Sequence, residues 1–382
     1  MAKRMPFVLL AVIVCVVFLE NYMSINVKEI LYGISLSIKN AIMFILPFII
    51  FSLLFKSAYT LSSSASKIIV FLIIAICLSN AFNVLLAGVI GIGVYSIDFS
   101  FISPDSLNSL STSFQITFPQ IIKNNIAMFG GLISGLVITK LNNNMADKIS
   151  GFLDSFVKRC LPLIIFVMPV FVAGFMVKLV HDGALESIIN DYMQVFLIIA
   201  VSQLVFIIVG YGLLSKLKIN IWIYRLKNML PAWISGVSTM SSAASMPLSI
   251  IGAEKNSNDP VIARSVIPAT VNIHLVGDCL AIPVFAFAIM KSYGVQSPDI
   301  FGYIVFCMYF VIAKFSTAAV PGGGIIVMLP VLEKYMGFQG EMISLITALY
   351  ILFDPIITGA NIMGNGYFAI LFEKIYKIFS DK

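Results

Sequence analysis

Ser316-Thr317-Ala318-Ala319-Val320-Pro321-Gly322-Gly323-Gly324 interrupts an apolar segment that runs from about 303 to 332. A proline followed by three glycines cannot carry a helix onward, because proline lacks an N–H and glycine pays the largest backbone entropy on ordering. Inside a hydrocarbon layer the polar groups freed by such a break are tolerated only where the segment is buried in protein or lines a cavity. The stretch therefore predicts a re-entrant helical hairpin whose tip lies inside the protein. A second apolar segment, 230–251, is broken in the same manner at Ser238-Thr239-Met240-Ser241-Ser242-Ala243-Ala244-Ser245-Met246-Pro247. Both breaks run Ser-Thr, small residues, then Pro, and each is followed by a long span with a polar stripe. A hairpin plus a span, repeated, points to inverted repeats with a binding site at the repeat interface.

The rest of the chain fits a membrane setting. Of its 382 residues 60% are hydrophobic and only 11% charged, against roughly 25% charged in ordinary soluble domains. The mean hydropathy is +1.02. Stretches able to cross the bilayer, which takes about 20 helical residues, fall near 5–18, 30–55, 68–95, 116–138, 161–180, 195–214, 261–290 and 342–370. The expected fold is an all-α polytopic membrane protein of about eight spans plus two hairpins. A net charge of +6 is too small and dispersed for nucleic-acid binding. If the spans alternate, Lys3, Arg4, Lys56, Lys140, Lys216, Lys374 and Lys382 share one side, and Asp98, Asp105, Asp182, Glu186 and Asp191 the other. The positive-inside rule then puts both termini in the cytoplasm and the protein in the cytoplasmic (inner) membrane. The first span reads as retained, since no small-residue cleavage site precedes Leu19-Glu20-Asn21-Tyr22. The segment 96–113 reads as an external polar loop. The five cysteines show no paired or metal-like spacing and read as small buried hydrophobes.

Chemistry concentrates in three spans. In the last, Asp354, Thr358, Asn361 and Asn365 are spaced four, three and four apart, one stripe of a helix. A carboxylate at the centre of a membrane helix costs roughly 2.5–3.5 kcal/mol on insertion scales and is a functional candidate by default. The alternative for Asp354 is a carboxylate tied to backbone near the break at Pro355. In the seventh span His274 and Asp278 lie four apart, on one face if the helix continues, and form a candidate ionisable pair. In the third, Ser79, Asn80 and Asn83 are polar where lipid would reject them. Ser241 and Ser242 are either ligands or simply small residues that a tip requires.

These motifs together resemble the dicarboxylate/amino acid:cation symporters, a family that includes glutamate and neutral amino-acid transporters. The resemblance covers nearly the whole chain in segment order. It rests on Ser241-Ser242-Ala243-Ala244-Ser245-Met246-Pro247, Val320-Pro321-Gly322-Gly323-Gly324, Ala269-Thr270-Val271-Asn272 and Asn361-Ile362-Met363-Gly364-Asn365. It implies a scaffold of spans 1–2 (1–66) and 4–5 (97–190). It also implies a mobile transport domain made of span 3 (67–96) and 191–382, and a homotrimer. The substrate set it implies is Ser241, Ser242, Val276, Gly322, Gly323, Asp354, Ile357, Thr358 and Asn361, with substrate lying between the hairpin tips and broken seventh and eighth spans. The cation set is Ser79, Asn80, Asn272, His274, Asp278, Asn361 and Asn365.

The departures from the family pattern carry their own implications. His274 stands where the family has an ion-binding Asp, Val276 where it has a substrate-contacting Thr, Ile357 where it has the Arg that grips an acidic side chain, and Asn365 where it has the final ion-binding Asp. An acidic substrate without that Arg leaves a carboxylate desolvated and unpaired, so a small neutral amino acid is expected. The co-transported cation is Na⁺ or, through His274, H⁺; no other cofactor is implied. The alternatives are a dicarboxylate or glutamate:sodium symporter and an uncoupled facilitator or channel. An intramembrane hydrolase built on Ser241, His274 and Asp278 or Asp354 has no nucleophile fixed beside a base, so an enzyme is not expected.

Overall fold

The computed structural model describes residues 5–63, 67–97, 110–119, 121–183, 185–317 and 322–380. Among them every regular element is helical: α1 (Met5–Leu19), α2 (Ile25–Ser63), α3 (Lys67–Tyr95), α4 (Asn124–Leu141), α5 (Asn143–His181), α6 (Leu185–Leu214), α7 (Ile219–Thr239), α8 (Ser242–Asn256), α9 (Pro260–Thr270), α10 (Val276–Ser292), α11 (Ile300–Lys314), α12 (Gly323–Ile326), α13 (Leu329–Tyr335) and α14 (Gly340–Ser380). Five of these, α2, α3, α5, α6 and α14, are long and apolar enough to cross a membrane. The all-helical polytopic architecture expected from composition is therefore present. Not every span is a long helix: α1 and α4 are short, and the seventh is divided. On α3 the side chains of Val70, Ile74, Leu78, Phe82 and Val89 point outward and exposed, a stripe that lipid satisfies. Cys15 is also exposed, whereas Cys279 and Cys307 are buried, so the expectation of uniformly buried cysteines is corrected.

Packing sorts the helices into two neighbourhoods. In one, α2 packs along both α4 and α5, and α1 lies on α5. In the other, α14 is the central rod, touching α6, α7, α8, α9 and α10, while α3 packs on α10 and α11. The α2–α5 crossing is close because Gly174 has no side chain: an added Cβ would lie 2.1 Å from the Leu31 carbonyl oxygen. At the same crossing the Ser35 hydroxyl donates to the Phe171 carbonyl at 2.6 Å.

The arms of both predicted hairpins pack on each other, α7 on α8 and α11 on α13, and local chemistry explains where the first turns. The first, α7 and α8, breaks only at Met240 and Ser241, not across 238–247. Met240 takes the left-handed conformation (φ 48°), and the Ser241 hydroxyl caps α8 by accepting from Ala244 N at 3.2 Å. Once capped, the following Ser and Ala residues stay helical, and Pro247 is held inside α8. The second hairpin joins α11 to α12 and α13; Ala318 to Pro321 lie outside the described residues, and Gly322 resumes the chain at φ 72°. Of the expected external loop, 98–109 likewise lie outside them.

Two expectations about the long spans are corrected. The seventh span is divided by five non-helical residues, 271–275, so the condition for His274 and Asp278 to share a helical face is not met. The eighth is not broken: α14 continues through Pro355, its lost hydrogen bond outweighed by burial on nearly every side. The break in the seventh span is held by Asn80 of α3, whose amide donates to Ile273 O (2.7 Å) and accepts from Leu275 N (3.4 Å). That contact supplies partners to backbone that would otherwise be orphaned at membrane depth.

The α2–α5 crossing gives a paired prediction. Gly174→Ala is expected to lower stability by about 1–3 kcal/mol, because the neighbour it meets is backbone. Gly151→Ala, where an added Cβ meets nothing within 4 Å, is expected to gain up to about 1 kcal/mol. Thermal unfolding of the purified chain in detergent checks both; a neutral Gly174→Ala contradicts the packing described.

Candidate functional site

A cavity lies where the hairpin ends, the break in the seventh span and the middle of α14 converge. It is lined by Met240 and Ser242 of the first hairpin, Thr317 and Gly324 of the second, Val271, Asn272, Leu275 and Asp278 of the seventh span, and Tyr350, Asp354, Thr358 and Asn361 of α14. The α14 stripe read from sequence thus faces the cavity through its first three members. Asp354 accepts from the Gly322 backbone N–H at 2.9 Å and from the Thr358 hydroxyl at 3.0 Å. The carboxylate therefore joins α14 to the tip of the second hairpin. This is the backbone tie weighed as the alternative for Asp354, made across to another element rather than to its own helix.

Asn361 works on both ends of its amide. Its oxygen accepts from Gly277 N (2.8 Å) and Asp278 N (3.4 Å), two donors at the start of α10 that have no partner within the helix. Its nitrogen donates to Asp278 Oδ1 at 2.9 Å. The same oxygen receives the Tyr350 hydroxyl at 3.1 Å, and Asp278 Oδ2 receives the Lys314 ammonium at 2.7 Å. Lys314 Nζ also donates to the Gly324 carbonyl at 3.1 Å and sits 5.0 Å above the Phe310 ring. Lys314 is fully buried and Asp278 1% exposed, which makes this a fully desolvated ion pair. Gly324 has to be glycine for the tip to come this close, since a Cβ would lie 2.2 Å from Asp278 Oδ2 and 2.3 Å from the Tyr350 hydroxyl.

His274 takes no part in that pair. Its Nε2 meets the Ser79 hydroxyl at 2.8 Å, its Nδ1 meets Asn365 Oδ1 at 3.0 Å, and its ring lies 4.2 Å from that of Phe368. Both ring nitrogens thus have a polar partner. The expected ionisable pair of His274 and Asp278 is accordingly two separate clusters. The residues proposed from sequence divide three ways. Ser242, Asn272, Asp278, Asp354, Thr358 and Asn361 meet at the cavity, with Gly322 and Gly323 beside it at the tip. Ser79, His274 and Asn365 form the second cluster, with Asn80 bracing the break. Ser241 caps α8, and Val276 and Ile357 pack in the core, both fully buried.

Three contributors were missed from sequence, Lys314, Tyr350 and Thr317. The signal for Lys314 was available: it is the one charge in Ile300–Lys314, an otherwise apolar hairpin arm, and an ionisable residue at membrane depth is a site candidate. Nothing in the sequence singles out Tyr350. Thr317 Oγ1, on the cavity wall, and Ser316 Oγ are buried with no hydrogen-bond partner among the described residues, and such a group calls for an explanation. No group of three or more His, Cys, Asp or Glu residues able to hold a metal occurs among the described residues.

Comparison with known proteins agrees with this architecture. The model of the sodium:dicarboxylate symporter family matches residues 5–375. The chain belongs to that family. Among individual relatives, an excitatory amino acid transporter of Onchocerca volvulus is 32% identical over 142 residues, 37% of this chain and 28% of that protein. Human excitatory amino acid transporter 2 is 31% identical over 138 residues, 36% of this chain and 24% of the relative. Mouse excitatory amino acid transporter 3 is 27% identical over 255 residues, 64% and 47% respectively. The chain thus matches less than half the length of each of these relatives. The symporter family is one of transporters, not enzymes, and the apolar helices make this member a multi-pass membrane protein.

The ion pair yields the prediction for this site. Asp278→Asn strands the buried Lys314 ammonium and is expected to cost about 3–5 kcal/mol. The double variant Asp278→Asn/Lys314→Met removes both charges and is expected to recover most of that loss. A double-mutant cycle on thermal stability reads the coupling directly, and additive effects contradict it.

Proposed function

We propose that the protein is a secondary active transporter that moves a small amino acid across the cytoplasmic membrane together with a cation, by alternating access. The observation that carries this reading is the convergence of two hairpins, a divided seventh span and a polar α14 stripe on one cavity. In it the substrate ammonium meets Asp354 and the carboxylate meets Asn361, Ser242 and the unpartnered Thr317 hydroxyl. The second hairpin, tied to Asp354 through Gly322, acts as the gate. The helices that pack around α14 and α3 move as a transport domain against the scaffold of α1, α2, α4 and α5. Both termini face the cytoplasm, and the working unit is a homotrimer.

The family description and the relatives' names support an acidic substrate; they lend no support to the neutral one expected from Val276 and Ile357. One observation keeps the neutral reading as a second. The Lys314 ammonium beside the cavity is already paired with Asp278, and a substrate's side-chain carboxylate would have to draw it away. The co-transported ion is Na⁺ by family membership. With both ring nitrogens of His274 already partnered, H⁺ coupling has less support than the sequence gave it.

Uptake by proteoliposomes tests the reading, with acidic and neutral amino acids offered under a Na⁺ gradient, a pH gradient or neither. Gradient-driven accumulation of an amino acid is expected, and none under any gradient refutes symport. Glutamate or aspartate uptake selects the first substrate reading and serine or alanine uptake the second. Asp354→Asn is expected to weaken amino-acid binding about 10- to 150-fold, the loss of one charge-assisted hydrogen bond. Unchanged affinity removes Asp354 from the substrate site.

A further inference from the structure

We propose that the Lys314 ammonium is a tethered monovalent cation, filling a coordination place between the second hairpin and α10 that a free metal ion would otherwise take. The proposal rests on the reading of this cavity as a cation-coupled transport site.

The donor set is the first support. The ammonium is held by an anionic carboxylate oxygen of Asp278 at 2.7 Å and a backbone carbonyl, Gly324 O, at 3.1 Å. Carboxylate and carbonyl oxygens are what hard cations select, and protein sites for monovalent ions use backbone carbonyls in place of water. Asp278 and Gly324 both line the cavity, so the place lies at its wall. The shape of the backbone agrees. Residue 324 has no room for a Cβ against Asp278 and Tyr350, so its carbonyl is carried close to the carboxylate by construction.

Charge balance is the second. Two carboxylates line the cavity, Asp278 and Asp354. Asp354 already accepts from Gly322 N and Thr358, and Lys314 neutralises Asp278. Ser79, His274 and Asn365 hydrogen-bond one another. A mobile metal ion entering beside Asp278 would meet a fixed positive charge a few ångströms away. A neutral side chain at 314 would leave that carboxylate buried, unpaired and able to attract one.

The tether is the third. Lys314 ends α11, Gly324 lies in α12 and Asp278 in the first turn of α10. One ammonium therefore ties both arms of the second hairpin to the seventh span, as a bound ion would, but without having to be captured from solution. The gate can close with one fewer co-transported cation.

The test is thermal unfolding of the full-length chain in detergent, titrated with NaCl against choline chloride at constant ionic strength. Lys314→Ala empties the place, and it is expected to gain a saturable sodium-dependent rise in Tm beyond that of the unaltered protein. The rise should be about 3 °C at a tenfold excess over Kd. The gain should vanish in Lys314→Ala/Asp278→Asn, and Lys314→Arg should behave as the unaltered protein does. A Lys314→Ala response equal to that of the unaltered protein overturns the proposal. So does an alanine variant that unfolds in sodium as readily as in choline, or a gain that survives Asp278→Asn. Because the readout is unfolding, failure of amino-acid uptake would refute the transport reading and leave this result standing.

Discussion

The contact on which the centre of this protein depends is the salt bridge between Lys314 and Asp278. Each charge alone would be very costly in a membrane interior, and a buried pair is stabilising only when geometry and extra hydrogen bonds are good. Here Asp278 also receives Asn361 and Tyr350, and Lys314 also reaches Gly324 O. Those partners come from α10, α11, α12 and α14. Satisfying one ion pair therefore fixes how the hairpin tip, the start of α10 and the middle of α14 stand relative to one another. The cavity is the space left between them.

A second constraint acts at the far side of the divided span. Asn80 supplies hydrogen bonds to the unwound backbone, and Ser79 reaches His274, which reaches Asn365. His274 and Asn365, the two residues that the family resemblance sets in the place of carboxylates, thus touch each other. A His and an Asn at these positions make a bond directly, where two carboxylates would repel unless an ion lay between them. Their joint replacement reads as one change and not two.

Much of this was legible in the sequence. The Pro-Gly-Gly-Gly and Ser-rich breaks marked both hairpins because helical backbone cannot pass through them unaided. The spacing of Asp354, Thr358 and Asn361 marked the cavity face of α14 because a helix repeats every 3.6 residues. What failed were inferences that needed knowledge of tertiary partners. His274 and Asp278 looked paired by spacing, but five unwound residues turn them to different neighbours. Pro355 looked like a break, but a helix packed on nearly all sides tolerates it. Val276 and Ile357 looked like cavity walls, yet both pack in the core. Lys314 was the informative omission: the cost of a charge in an apolar arm pointed to it, and only the fold revealed that its partner lay 36 residues away.

A structure of the full chain in lipid with amino acid and Na⁺ bound tests the central claim most directly. The expected result is the substrate ammonium within hydrogen-bond reach of Asp354 and no metal ion between Asp278 and Gly324 O. A metal ion there with Lys314 turned away, or a substrate ammonium remote from Asp354, would contradict it.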